Sequence, residues 1–329
     1  VSGQDGGGIY FFYTDSSHIS DVTLINNSAD DEGGGIYYYY ASNITITGTN
    51  IELNQSGNDG GGIYFFYTDS SHISDVTLFN NSAGDEGGGI CYYQSNNPSI
   101  ANSTIQGNSA ATFGGGLYGF YSHNASFEDI TLSENTAYSG AGAYMYYSNN
   151  PVFTRGLISN NIATNEGGGL SFFYSANPIF SYLEITGNSA DTGGGINLYN
   201  TNPLLNNMTF SDNIATYGGG AIYGYESDVD IVNSILWYDS PDEIYSAGYS
   251  ELNVFFSDIE NGWNGEGNID DDPLFINSET GDYTLQADSP CIDAGISDLD
   301  GDGVDDITDY FGQAPDMGAY EYMGDILPG

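Results

Sequence analysis

Residues 6–35, GGGIYFFYTDSSHISDVTLINNSADDEGGG, recur at residues 60–89 as GGGIYFFYTDSSHISDVTLFNNSAGDEGGG. The two stretches differ only at Ile25/Phe79 and Asp30/Gly84. Working outward, glycine triplets or near-triplets start at 6, 33, 60, 87, 114, 140, 167, 193 and 218. A steady period of this size marks a stack of repeated units. The near-copy shows that the unit tolerates duplication, as folds do when each unit touches only its neighbours.

Within each unit the apolar runs are short, β-branched and largely alternating, as in Ile19–Leu24, Ile44–Ile46 and Ile51–Leu53. Alternation of that kind reads as half-buried strand, and no stretch sustains a helical period. Asn-Pro pairs at 97, 150, 177 and 202 fall at nearly one slot of the unit, a turn ahead of a strand. Short strands stacked at a coil spacing of about 4.8 Å predict an all-β parallel β-helix, a solenoid of about 25–27 residues per coil. The coils are expected over residues 1–262, regular to about 217 and irregular over 218–262. An irregular C-terminal closing segment is expected over 263–329. Asn27, Asn54, Asn81, Asn108, Asn135, Asn161, Asn188 and Asn213 each precede a glycine triplet by five or six residues. Such a column predicts an amide ladder running up the stack.

Composition bounds the function. The 329 residues carry 45 acidic side chains against a single Arg and no Lys, for a net charge of −44. With 29 Tyr and 17 Phe the chain is too aromatic for a solvated acidic tail. The lack of positive charge excludes nucleic-acid binding by phosphate neutralisation and disfavours an anionic membrane surface. No apolar run is long enough for a membrane-spanning helix, and no signal peptide is evident. Cations, neutral glycans, basic proteins and further copies of the chain remain as partners. Cys91 and Cys291 are expected several coils apart, too far for a mutual disulfide.

Counting from the first glycine of each unit, position plus three is the core position: Ile9, Ile36, Ile63, Ile90, Leu117 and onward. Alternation then sends plus five inward and plus four and plus six outward. Plus four holds Tyr10, Tyr37, Tyr64, Cys91, Tyr118 and Tyr144 before it lapses at Ser171. Plus six holds Phe12, Tyr39, Phe66, Tyr93, Phe120, Tyr146, Phe173 and Tyr199. Two aromatic columns on one outer face are therefore expected, a stripe longer than a monomer normally leaves in water.

The Gly-Gly-Gly-Ile…Asn-x-Ala pattern resembles the repeats of bacterial right-handed parallel β-helix surface proteins, including the polymorphic outer-membrane type. The stretch Asp271-Asp-Pro-Leu-Phe275…Ser289-Pro-Cys-Ile-Asp-Ala-Gly295…Asp316-Met-Gly-Ala-Tyr-Glu321 is similar to the closing segment of secreted bacterial β-helix repeat proteins. The resemblance implies a right-handed coil and a cell-surface or released extracellular location. It implies no particular activity, because this architecture carries adhesins, lyases, glycosidases and spacers.

Residues 298–309 fit a Ca²⁺ loop. Asp298, Asp300, Asp302, the Val304 carbonyl, Asp306 and Asp309 stand at positions 1, 3, 5, 7, 9 and 12, with Gly303 at the sharp turn. Calcium is thus the expected cofactor. No catalytic set stands out. Forty-five acids make close carboxylate pairs inevitable, so pairs alone do not indicate a glycosidase. Arg155 occupies the slot held by Asp129 one coil earlier and is expected to pair with it. The first residues match the tail of a coil, which reads either as a cut through a longer surface protein or as an open end that another subunit covers. Together these features point to a non-enzymatic structural or adhesive protein, self-associating as a fibre or surface layer through the aromatic face and coil ends. The alternative is a carbohydrate-active enzyme of glycosidase type, or a glycan-binding protein.

Overall fold

The computed structural model describes residues 4–299 and 301–324, and the chain winds as a parallel β-solenoid. Each coil repeats one sequence of events. In the coil from Gly33, a strand at Ile36–Tyr39 leaves the glycine triplet and turns at Tyr40. The chain then runs through Ser42–Thr47 and Asn50–Glu52, bends at Leu53, and makes a two-residue strand at Gln55–Ser56. Stacking coil on coil gives a 10-stranded sheet from the first strands, a 17-stranded sheet from the middle ones and an 8-stranded sheet from the last. Every pairing within these three sheets is parallel, in the register Ile9↔Ile36, Ile36↔Ile63, Ile63↔Ile90.

Like side chains therefore sit on like. The interior holds the plus-three column, the plus-five column of Phe11, Tyr38, Phe65 and Tyr92, and the middle-sheet columns that begin at Ile19 and Leu24. The glycine triplet has two separate reasons. Gly60 adopts a φ of +63°, a left-handed conformation that side chains disfavour. A Cβ on Gly61 would meet the Ser82 and Gly88 carbonyl oxygens at 2.4 and 2.5 Å, and these are backbone atoms that cannot give way.

The amide ladder is present. From Asn27 to Asn188 each side-chain Nδ2 and each backbone N–H donate to the Oδ1 of the next asparagine, at 2.9–3.1 Å. The ladder continues one step past the asparagines: Asn213 donates to Asp239 Oδ1. A second ladder of hydroxyls, Ser122–Ser148–Ser175, climbs the turn after plus seven.

The register corrects one reading. Ile196 pairs with Ile222, so Gly219, not Gly218, begins the ninth unit, and Ala221 stands in for the third glycine. Coil pairing then runs on through Ile222↔Ile244 and Val229↔Leu252 to Asp258–Ile259, with shorter coils. Beyond it, Phe275–Asn277 pairs antiparallel with Asp282–Leu285. This last segment folds back along the outer face of the middle sheet. The Tyr320 hydroxyl donates to Glu184, the Tyr283 hydroxyl to Asp212, and the Ala319 N–H to the Thr209 hydroxyl.

Candidate binding face

Alternation along the first strands holds, and it places plus four and plus six on the outside of the 10-stranded sheet. The two columns nevertheless meet solvent differently. Tyr10 and Phe12 are exposed. Tyr39, Phe66, Tyr93, Phe120, Tyr146, Phe173 and Tyr199 are half-buried and form a ridge. Tyr37, Tyr64, Cys91, Tyr118 and Tyr144 are buried, which corrects the expectation that plus four lies on the surface. The reason is the chain just before each glycine triplet, which folds over that column. Its last residue is Asp5, Glu32, Asp59, Glu86, Phe113, Ser139 or Glu166 in successive coils. The Tyr37 hydroxyl lies beside the Glu32 carboxylate and the Tyr118 hydroxyl beside Glu86, while the Phe113 ring stacks on Tyr144 at 4.6 Å.

These residues make an acidic rim. Burial pushes Glu32 and Glu86 up to about 7 and Asp59 up to about 6, and repulsion from neighbouring acids adds to the burial in all three. Burial and the same carboxylates push the Tyr37, Tyr64 and Tyr118 phenols well above their ordinary range. Between rim and ridge runs an open groove that widens around Phe113, Tyr144 and Phe173 to about 650 Å³.

A third column escaped the sequence reading. Plus seven is Tyr13, Tyr40, Tyr67, Gln94, Tyr121, Tyr147 and Tyr174. All seven have φ between 47° and 52°. A bulky residue in that left-handed region is a backbone outlier, disfavoured by about 1–2 kcal/mol. Asn or Gly would hold the turn more cheaply. The tyrosines instead stack face to face: Tyr13–Tyr40 at 5.3 Å, Tyr40–Tyr67 at 4.9 Å, Tyr121–Tyr147 at 5.1 Å and Tyr147–Tyr174 at 5.2 Å. Five of the six are well exposed, Tyr13 at 65%. The signal was present in the sequence, as YFFY and YYYY after the glycines. It was hidden because a turn position is normally read for Asn and Gly.

The remaining candidates are scattered. In the 298–309 loop, Asp298 accepts the Gly301 and Gly303 amides, Asp302 accepts the Val304 amide and Asp306 accepts the Leu299 amide. Asp300 lies outside the described residues. Among the described residues no group of three or more His, Cys, Asp and Glu side chains is gathered as for a metal. Arg155 is held by ion pairs to Glu128 and to Asp129, the latter at 3.0 Å, as its slot suggested. Cys91 and Cys291 are both buried and free.

Three comparisons bear on kinship. The family described as periplasmic copper-binding protein (NosD) matches residues 1–180. A Chlamydia polymorphic membrane protein repeat matches residues 207–225. A crystal structure of pectate lyase Pel9A superposes with a TM-score of 0.57 at 14% identity, over 98% of this chain and 84% of that one. At that identity the likeness shows the parallel β-helix fold alone. No curated protein sequence matches the chain. The first family's description names copper, and the soft donors here do not fit it. Cys91 sits between Tyr64 and Tyr118 in the buried column, and the Cys291 thiol donates to Asp258. His72 contacts Ser99, and His123 accepts the Asn149 amide one coil on. Among the described residues no three such donors gather at one site.

Proposed function

This chain belongs to the NosD family, and from that premise we propose that it is a non-enzymatic β-helix protein working outside the cytoplasm, where it self-associates through its plus-seven tyrosine column. The observation that carries this reading is the plus-seven column, whose tyrosines occupy an unfavourable backbone conformation to stand in solvent. Backbone strain retained over six coils suggests use. The form of the column suggests which use. Within its two runs, Tyr13–Tyr40–Tyr67 and Tyr121–Tyr147–Tyr174, the rings stack on each other, so the faces between them are occupied, and sugars stack on ring faces. Only at the break around Gln94 do Tyr67 and Tyr121 turn faces to an open pocket. What remains outward is a row of ring edges and hydroxyls repeating about every 5 Å. A surface with that repeat complements another surface with the same repeat, and a second copy of the rod has one. Tyrosine supplies such contact area at low entropic cost.

The location reading rests on the family description and the matched repeat. No helix among the described residues is long and apolar enough to cross a membrane. The non-enzymatic reading is supported by the ion pairs of the lone Arg155 to Glu128 and Asp129, which leave no free positive charge for an acidic sugar in the cleft that Arg155 lines with Tyr182 and Tyr320. A net charge of −44 opposes lateral contact, so assembly on this reading needs a divalent cation, and the 298–309 loop is our proposed Ca²⁺ site.

Electron microscopy and sedimentation in millimolar Ca²⁺ test the proposal. Fibres or lateral arrays are expected, dispersed by chelator together with a lower melting temperature. The triple variant Tyr40→Asn/Tyr67→Asn/Tyr121→Asn should remain monomeric with a near-unchanged melt, because asparagine tolerates the left-handed turn. Monomers at every protein and cation concentration would overturn the reading.

A further inference from the structure

The wide part of the groove is built by two departures from the repeat. First, plus four loses its ring at Ser171 and Asn197, which pair in register after Tyr144. Tyr144, with no ring above it in its own column, leans across to Phe173 at 5.5 Å and 20°. Second, the rim residue one coil earlier is Phe113 rather than an acid, and its ring lies over Tyr144 and beside Tyr118. The cavity of about 650 Å³ between them is thus walled by aromatic rings, with the half-buried Glu86 carboxylate at one end. That volume lies in the range of small-molecule sites.

Charge decides what the cavity would take. Both ion pairs among the described residues belong to Arg155, so Glu86 has no cationic partner there. Asp59 and Asp85 lie close enough to raise its negative potential further. Aromatic ring faces attract cations through their quadrupole, most strongly where water is displaced. A neutral apolar molecule would satisfy the rings and leave the carboxylate without a counter-charge. A hydrated metal ion would satisfy the carboxylate and leave the rings unused.

We propose that this cavity binds an organic ammonium ion carried on an apolar body, its charge facing Glu86 and its body lying among Phe113, Tyr118, Tyr144 and Phe173. The site borders the plus-seven column only at Tyr174 and does not depend on self-association.

Calorimetric titration of the whole chain with benzyltrimethylammonium chloride at physiological salt, against its neutral carbon isostere neopentylbenzene, tests this. The cation should bind saturably at one site, and the isostere at least about tenfold more weakly. Glu86→Gln and Phe113→Ser should each weaken the cation by about tenfold. Serine already stands in the rim slot of the next coil, at Ser139, so the second variant is compatible with the fold. Equal binding of the isostere would make the cavity merely apolar and overturn the proposal. So would the absence of saturable binding, or cation binding indifferent to both variants, which would report only diffuse attraction to −44 charges. The comparison of the two ligands on the unaltered chain needs no variant to fold.

Discussion

At the residue scale the most informative side chain is Asp239, where the amide ladder stops. Its Oδ1 accepts the Asn213 backbone amide at 2.6 Å and the side-chain amide at 2.7 Å. Its Oδ2 and the Glu243 Oε2 are buried without hydrogen-bond partners. Two facing carboxyls in that position cannot both ionise cheaply. Burial raises both, and repulsion by Asp239 raises Glu243 further. A raised carboxyl pKa means the folded chain keeps protons that the unfolded chain has released. The associated stability is complete below about pH 4 and is lost as pH rises through the folded values. Asp239→Asn keeps the Oδ1 acceptor and adds a donor toward Glu243. It should stabilise the protein at pH 8 by about 1–2 kcal/mol and have little effect near pH 4. Urea melts at the two pH values measure this, and a variant less stable than the parent at pH 8 would refute the shared-proton account. The rim acids Glu32, Glu86 and Asp59 act in the same sense, so thermal stability should fall as pH rises from 5 to 8.

At the scale of the element, the glycine triplet sets coil spacing. Gly61→Ala puts a Cβ against two backbone carbonyls, and the clash can be relieved only by separating coils. The expected loss is about 3 kcal/mol, read from urea midpoints. A loss under about 0.5 kcal/mol would show that the coils can shift freely. The same strand shows what was legible in the sequence. Period-two alternation correctly placed Ile36 and Tyr38 inside and Tyr37 and Tyr39 outside, because that depends only on strand geometry. Which outward residue stays wet was not legible. That depends on the preceding turn folding over Tyr37, a contact between residues that no local pattern links. The groove at Phe113 was hidden for the same reason: it needs a rim residue of one coil, a plus-four ring of the next and a missing ring after that.

For the whole molecule, periodicity carried nearly everything, since one unit's geometry fixes the stack. The single-unit error at Gly218/Gly219 arose where the triplet degenerates to Gly-Gly-Gly-Ala and two registers read equally well. The path of the final segment back over Glu184, Thr209 and Asp212 was illegible, being sequence-distant and aperiodic. Modularity makes a test at this scale. Deleting residues 33–59 joins Glu32 to Gly60 and faces Asn27 with Asn81 in place of Asn54. The shortened chain should still fold, with a rod about 4.8 Å shorter by small-angle scattering. Collapse to an unfolded chain would mean that the coils are not interchangeable.

One further property follows from the amide column. Every asparagine in it gives its backbone proton and one side-chain proton toward the C-terminal coils, while from Asn54 to Asn213 the second side-chain proton returns to a carbonyl of the preceding coil, and the last recipient is an acid. Aligned dipoles closed by a carboxyl give the rod a head and a tail of opposite electrical character, much as a bar magnet has poles. Neighbouring rods lying flank to flank therefore gain from pointing in opposite directions, and a sheet of them would alternate up and down.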